Sequence, residues 1–364
     1  MLESRTSAHD NASASGFRLS AARVAAVLCI GDSWLSGYNA AALGGASASG
    51  DILAFLRGNS FQVGDLEERG ASFGCGDGKL HSVNGQVQTI ATLLRRASPA
   101  LQGLSRGLTP RGGTILTHPL QSGLNAAICA SSLTGSRSPS FLSQAGMLVG
   151  VVQQGRYSHL ATQWKVLTVQ PGLAELAWGT RDPEIFTNQL RVLLGYLRSQ
   201  LPFTYVNVMA IPENAEDLLV LQKESESSCG SRMSYYALHL RVAGAAPHTE
   251  GANQTASMLN TRSRQVAAEV MDTPRFMVRY QPVTTQFPFN KNTLDPLACL
   301  HPTAAMHQGL AYGLLQNMIT GPYAGRSSKL HGVEDLIGTS ERPLVANMLA
   351  SMFPSNLSSG FILQ

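Results

Sequence analysis

The sequence predicts an α/β protein, a three-layer α/β/α sandwich built on a central parallel sheet, and three observations lead there. A continuously apolar run from Val24 to Ile30 ends in Gly31, without the polar alternation of a strand that faces water on one side. Three later short runs rich in apolar and β-branched residues, Val166–Val169, Thr204–Ile211 and Phe276–Tyr280, each stop near a proline. Segments of helical periodicity fall between them, and strands alternating with helices belong to a layered parallel sheet.

Val24–Ile30 is the first strand. From Gly85 to Ala97 the apolar residues Val87, Ile90, Ala91 and Leu94 recur at helical spacing, and Pro99 closes the segment. That spacing predicts a surface helix packing one face on the sheet. Phe186 to Leu201 carries Leu190, Leu193, Leu194 and Leu197 on one side, Met258 to Met271 is polar with spaced apolar residues, and Ala305 to Met318 is an apolar helix. Gly103–Gly123, rich in Gly, Pro and Ser, and Ser225–Gly251, without a period, read as loops or insertions. There is no internal repeat. The organisation that follows is a disordered amino-terminal segment over 1–20, one domain over 21–320, and a carboxy-terminal extension over 321–364 with an apolar run at Leu344–Phe353.

A chain of 364 residues can bury a sizeable core, and 44% hydrophobic with 14% charged residues is an ordinary globular composition. The net charge of +4 is spread over dispersed Arg and Lys, which excludes a nucleic-acid footprint while leaving room for weak, peripheral attraction to an anionic membrane surface. Five cysteines without a C-x-x-C pair or zinc-type spacing argue against a structural metal, and Cys29 and Cys129, inside apolar runs, read as small buried hydrophobes. The first twenty residues lack the apolar core of a secretory signal. The longest apolar stretches fall short of the roughly 18 residues that span a bilayer, so a soluble or peripheral chain is expected. Three triplets, at Asn11, Asn253 and Asn356, fit the glycosylation pattern.

The sharpest local signal is Gly31-Asp32-Ser33-Trp34, directly after the first strand. Ligands of open parallel sheets bind outside the carboxyl ends of strands, so a serine here can be exposed on a turn and aimed at substrate. Glycine permits the tight turn, and a following helix would bring N–H groups and a positive dipole end to a developing oxyanion. The alternative is that Asp32 and Ser33 only cap a helix. A serine nucleophile needs a base, and histidine is the usual one. His301 precedes an apolar helix, although a lone loop histidine is more often a solvated surface residue. Gly74-Cys75-Gly76-Asp77-Gly78-Lys79 fits neither the P-loop nor the dinucleotide fingerprint, and no strand precedes it.

Gly31-Asp32-Ser33-Trp34-Leu35-Ser36-Gly37 resembles the signature of GDSL (SGNH) hydrolases, and Arg57-Gly58-Asn59-Ser60-Phe61-Gln62-Val63-Gly64 resembles a phrase of their phospholipase B branch. The likeness continues through Asn125-Ala126-Ala127, Trp164-Lys165-Val166-Leu167-Thr168, Tyr205-Val206-Asn207-Val208 and Cys299-Leu300-His301-Pro302, from about Val24 to about Met318. It implies a flavodoxin-like serine hydrolase of phospholipid and lysophospholipid acyl esters, with no metal or organic cofactor. It also implies roles: Ser33 as nucleophile, His301 as base, and Ala130 where the family has an oxyanion glycine. Ala174 falls where the family has an oxyanion asparagine, and Ala298 where it has the aspartate three residues before the histidine.

These departures differ in consequence. Ala130 keeps a backbone N–H donor, and is harmful only where positive φ or open space is needed. Ala174 loses a side-chain donor, a change worth on the order of 10²–10³-fold in rate. Ala298 removes the group that would orient His301. Asp295 is close enough in sequence for a shifted loop to present it instead, although by itself it reads as a loop residue before Pro296. Two functions stay open: ester hydrolysis, and an inactive relative that binds lipid or a protein partner.

Overall fold

The computed structural model describes residues 19–37, 66–80, 85–110, 112–129, 131–134, 140–171, 175–176, 182–218, 251–285, 289, 294, 301–320 and 330–331. Its centre is a sheet of four strands, β1 (Val24–Gly31), β2 (Trp164–Gln170), β3 (Thr204–Met209) and β4 (Phe276–Gln281), in that order and all parallel. Every residue of β2, β3 and β4 is buried, which is why these segments lack polar alternation. The register sets Cys29 beside Thr168 and Thr168 beside Asn207.

The free edge of β1 is lined by Leu124–Ile128. Cys29 N donates to Leu124 O at 3.1 Å, Ala126 N to Cys29 O at 2.9 Å, and Ile128 N to Gly31 O at 3.1 Å, with a parallel bridge between Cys29 and Asn125. In space the order is therefore Leu124–Ile128, β1, β2, β3, β4. The chain winds from β1 to one edge, returns, and winds to the other. In an open parallel sheet this reversal opens the ligand crevice outside the carboxyl ends of the strands flanking it, here β1 and β2.

Six helices matter: α1 (Ser33–Ser36), α2 (Ile90–Ala97), α3 (Phe141–Gln153), α4 (Pro183–Gln200), α5 (Ala252–Glu269) and α6 (Ala304–Thr320). α3, α4 and α5 link successive strands and pack side by side, as same-handed crossovers demand, whereas α2 packs against α6. The result is the three-layer α/β/α arrangement that the alternating pattern predicts.

Several local expectations change. The helix expected from Gly85 begins at Ile90, because Gly85–Gln86 pairs with Lys79–Leu80 and Thr89 caps the helix in a reciprocal box with Thr92. Gly103–Gly123 is not plain loop: Leu108–Pro110 pairs antiparallel with Leu66–Glu68, and Pro119–Ser122 forms a helical turn. Cys29 is not a lone hydrophobe but is disulfide-bonded to Cys75, while Cys129 is buried as expected. Beyond 320, Leu330–His331 pairs parallel with Leu19–Ser20. Residues 225–250, residues 344–353 and the Arg57–Gly64 phrase lie outside the described residues.

A fully buried ion pair within the 66–71 segment reaches the 103–123 segment through its further hydrogen bonds. Arg69 Nη2 lies 2.5 Å from Glu67 Oε2, both side chains having no exposure. Glu67 also accepts from Thr109 Oγ1 and Gly112 N, and Arg69 donates to Asn125 O and Gly113 O. Removing one partner strands the other charge, so Glu67→Ala is expected to lower stability by about 3–5 kcal/mol, with Glu67→Leu/Arg69→Met costing less than either single loss. Urea unfolding of the four proteins reads the comparison, and a fully additive double variant would rule it out.

Candidate active site

β1 ends in Gly31, where a Cβ would come within 2.9 Å of Leu35 Cδ1 and 3.1 Å of Gln170 Cβ. A larger residue here would have to displace the Leu35 side chain and crowd Gln170 of β2. Asp32 then caps α1, its Oδ1 accepting from Trp34 N at 3.0 Å, and Ser33 takes the first helical position. The capping alternative is thus correct for Asp32, and it leaves the Ser33 hydroxyl unused by the cap. α1 is a single turn of four residues, so the expected dipole contribution falls away and only local N–H groups remain. Gly37 closes the turn with φ +74°, where a Cβ would strike Glu68 O.

The turn is held from below. Leu35 O accepts from Ser72 Oγ at 2.6 Å and Asn125 Nδ2 at 2.8 Å, and Gly37 O accepts from Glu68 N at 2.9 Å. Asn125 is itself fixed, since its Oδ1 accepts from Ala127 N and its backbone oxygen accepts from Arg69 Nη1. A connected path of hydrogen bonds therefore runs from the buried ion pair through Asn125 to the turn that carries Ser33.

His301 stands just before α6, which Thr303 caps by accepting from Met306 N at 3.3 Å. It is 5% exposed, and so is not the solvated surface histidine that a lone loop position suggests. Phe289, upstream in the same connection, packs tilted against Trp34 with ring centroids 4.7 Å apart. The bridge between Leu294 and Pro302 ties that connection down beside His301.

One turn into α6, His307 is fully buried, with its ring 5.9 Å from that of Phe73, and neither ring nitrogen has a hydrogen-bond partner among the described residues. Burial, aided by the charge of His301, lowers its pKa to about 3. Below an ordinary pKa of about 6.5 the unfolded chain takes up a proton that the folded chain refuses, so stability falls as pH drops from there towards 3. His307→Leu is expected to flatten that slope, the stability gap over the parent widening by up to about 1.4 kcal/mol per pH unit below 6. Urea midpoints at pH 4, 5, 6 and 7 check this, and a gap independent of pH defeats it.

Of the residues singled out from sequence, Ser33 and His301 are both buried near the carboxyl edge of the sheet. Ala130, Ala174, Asp295 and Ala298 lie outside the described residues. Glu175, next to Ala174, carried no sequence signal, yet its buried carboxylate accepts from Leu133 N, Thr134 N and Thr134 Oγ1. Lys165 is buried at the amino end of β2, donating to Leu160 O and Gln163 O with its pKa lowered by burial to about 8, and belongs to the opposite end of the sheet. The Gly74–Lys79 glycines serve close backbone packing, since a Cβ on Gly76 would strike Gly70 O. Among the described residues no group of three His, Cys, Asp or Glu could hold a metal ion, and no helix is long and apolar enough to cross a membrane.

No family model matches the chain. Among curated proteins it is similar to "Phospholipase B1, membrane-associated" of Rattus norvegicus, 27% identical over 221 residues, and of Homo sapiens, 24% identical over 348 residues. The protein of that name from Mus musculus is 25% identical over 237 residues. These stretches cover 58%, 90% and 63% of this chain but 13%, 22% and 14% of the relatives, so the chain spans less than a quarter of their length. The comparisons support a phospholipase B-like relationship at low identity.

Proposed function

We propose that this chain is a serine ester hydrolase of phospholipase B type, one GDSL-like domain over about 21–320 acting on acyl esters of phospholipids or lysophospholipids. The observation that carries the reading is the place of Ser33, on a tight turn at the carboxyl end of β1 where the strand order reverses. The relatives' name and the motif resemblance point to the same chemistry.

In this reading Ser33 Oγ attacks the acyl carbonyl while His301 takes its proton. The N–H groups of Ser33 and Ala130 bind the oxyanion, and His301 returns the proton to the departing alcohol oxygen as the acyl–Ser33 ester forms. Water, deprotonated by His301, then releases the fatty acid and restores the hydroxyl. Asp295 is the candidate to orient His301 in place of the carboxylate missing at Ala298, and Ala174 leaves the oxyanion one donor short. No metal or organic cofactor takes part. The substrate is reached by peripheral contact with a lipid surface.

A second reading, an inactive relative that keeps the cleft and binds lipid or a protein partner, is favoured by alanine at both Ala174 and Ala298. Turnover of a short-chain ester or lysophospholipid by the purified protein, with labelling of Ser33 by a serine-reactive phosphonate, eliminates that second reading. Absence of both eliminates the first.

A further inference from the structure

We propose that Glu175 is a positioning residue that braces the oxyanion side of the crevice, fixing the 131–134 turn to the end of β2. The inference rests on the hydrolase reading above and extends it to a residue outside the nucleophile and base. Glu175 follows β2 by five residues and is fully buried. Its Oε1 accepts from Leu133 N, and from Thr134 N at 3.3 Å, while Oε2 accepts from Thr134 Oγ1 at 2.6 Å. The partners lie 41 and 42 residues earlier in the chain, so the contact joins two separate connections at the carboxyl edge of the sheet.

The other end of the same turn is tied to β1. Ser131 N donates to Ile128 O at 3.1 Å, and Ile128 N donates to Gly31 O at 3.1 Å. Ile128 and Ser131 are thus tied to the strand that delivers Ser33, and Leu133 and Thr134 to Glu175, with Ala130 between them in sequence. A buried carboxylate is costly, and burial pushes the Glu175 carboxyl above its usual range even against three donors. An apolar side chain would fill the space more cheaply. What the carboxylate adds is acceptor capacity enough to hold two adjacent N–H groups and a hydroxyl at once. An oxyanion donor is effective only when its position is set before charge develops, and a misplacement of about 1 Å can cost on the order of 10²-fold.

The test compares the full chain with its Glu175→Ala, Glu175→Gln and Thr134→Val variants. Measured are kcat and KM on a short-chain ester, the rate of phosphonate labelling at Ser33, and amide exchange of Leu133 and Thr134. Glu175→Ala is expected to lower kcat and labelling by about 10- to 100-fold with KM nearly unchanged, and to speed exchange at the two amides by at least about tenfold. Glu175→Gln, which keeps one acceptor for the amides and can donate to the Thr134 hydroxyl, should recover most of both. Thr134→Val, which removes the hydroxyl contact and keeps both backbone donors, should lose about threefold to tenfold in kcat and carries the test if Glu175→Ala does not fold. Unchanged exchange overturns the brace. Faster exchange with kcat and labelling intact reduces Glu175 to a structural residue and overturns the positioning role. A parent that neither turns over ester nor labels at Ser33 overturns the hydrolase reading itself, whereas an active parent with indifferent variants overturns the role of Glu175 alone.

Discussion

Replacement of Ser33 by alanine is expected to reduce ester turnover to background, a loss on the order of 10⁴-fold or more, and to abolish phosphonate labelling. The size follows from what the hydroxyl does. Without Oγ there is no acyl-enzyme, and what remains is the binding and polarisation supplied by backbone donors. The fold should survive, because the turn is specified by Asp32, Gly31 and Gly37 and by the donors on Leu35 O rather than by the serine hydroxyl. A melting temperature close to the parent's therefore belongs to the expected result. His301→Ala should also lower turnover strongly. Undiminished turnover in Ser33→Ala would place the nucleophile elsewhere or attribute the activity to a contaminant.

Features legible in the sequence are those whose signal is local. β1 is readable because burial on both faces makes its residues uniformly apolar, and the Gly31-Asp32-Ser33 turn is readable because it needs those residue types side by side. α4 and α5 show their buried faces at helical spacing. α3 escaped because it is apolar almost throughout, with Gly146 and Gly150 inside it, so no polar face marks its period. β3 ends at Met209, two residues before the expected Ile211, yet Ala210 and Ile211 are equally buried, and composition cannot separate strand from packed loop.

The support of the site was illegible for a different reason. Arg69 meets Asn125 O across 56 residues, Asn125 meets Leu35 O across 90, and Glu175 meets Leu133 N across 42. No window of local sequence contains both partners. Arg69 and Glu67 are brought under the turn by the pairing of Leu66–Glu68 with Leu108–Pro110, some forty residues away. Cys29 and Cys75 likewise lie 46 residues apart, and an odd cysteine count gives no pairing.

The double variant Ala298→Asp with Ala174→Asn is expected to hydrolyse lysophospholipid faster than the parent, by somewhere between about tenfold and 10⁴-fold. Both positions fall outside the described residues. A carboxylate three residues before His301 would fix the imidazole tautomer and orientation, leaving the other ring nitrogen to face Ser33. An asparagine at 174 would add a donor whose interaction strengthens as the carbonyl oxygen gains charge, and so acts on kcat rather than on ground-state binding. Residues that work as a unit are not additive, so the double variant should gain more than either single change. Asp295 bears on the outcome. If it already orients His301, the Ala298→Asp single variant gains little and the Ala174→Asn variant carries most of the increase. The opposing cost is a new carboxylate without donors, which would appear as a lower melting temperature in Ala298→Asp. The measurement is kcat/KM on one lysophospholipid for the parent, both singles and the double, each checked for folding by thermal melt. A folded double variant no faster than the parent would mean that the two alanines do not limit this chain, and would shift the weight to the lipid-binding or partner-binding reading.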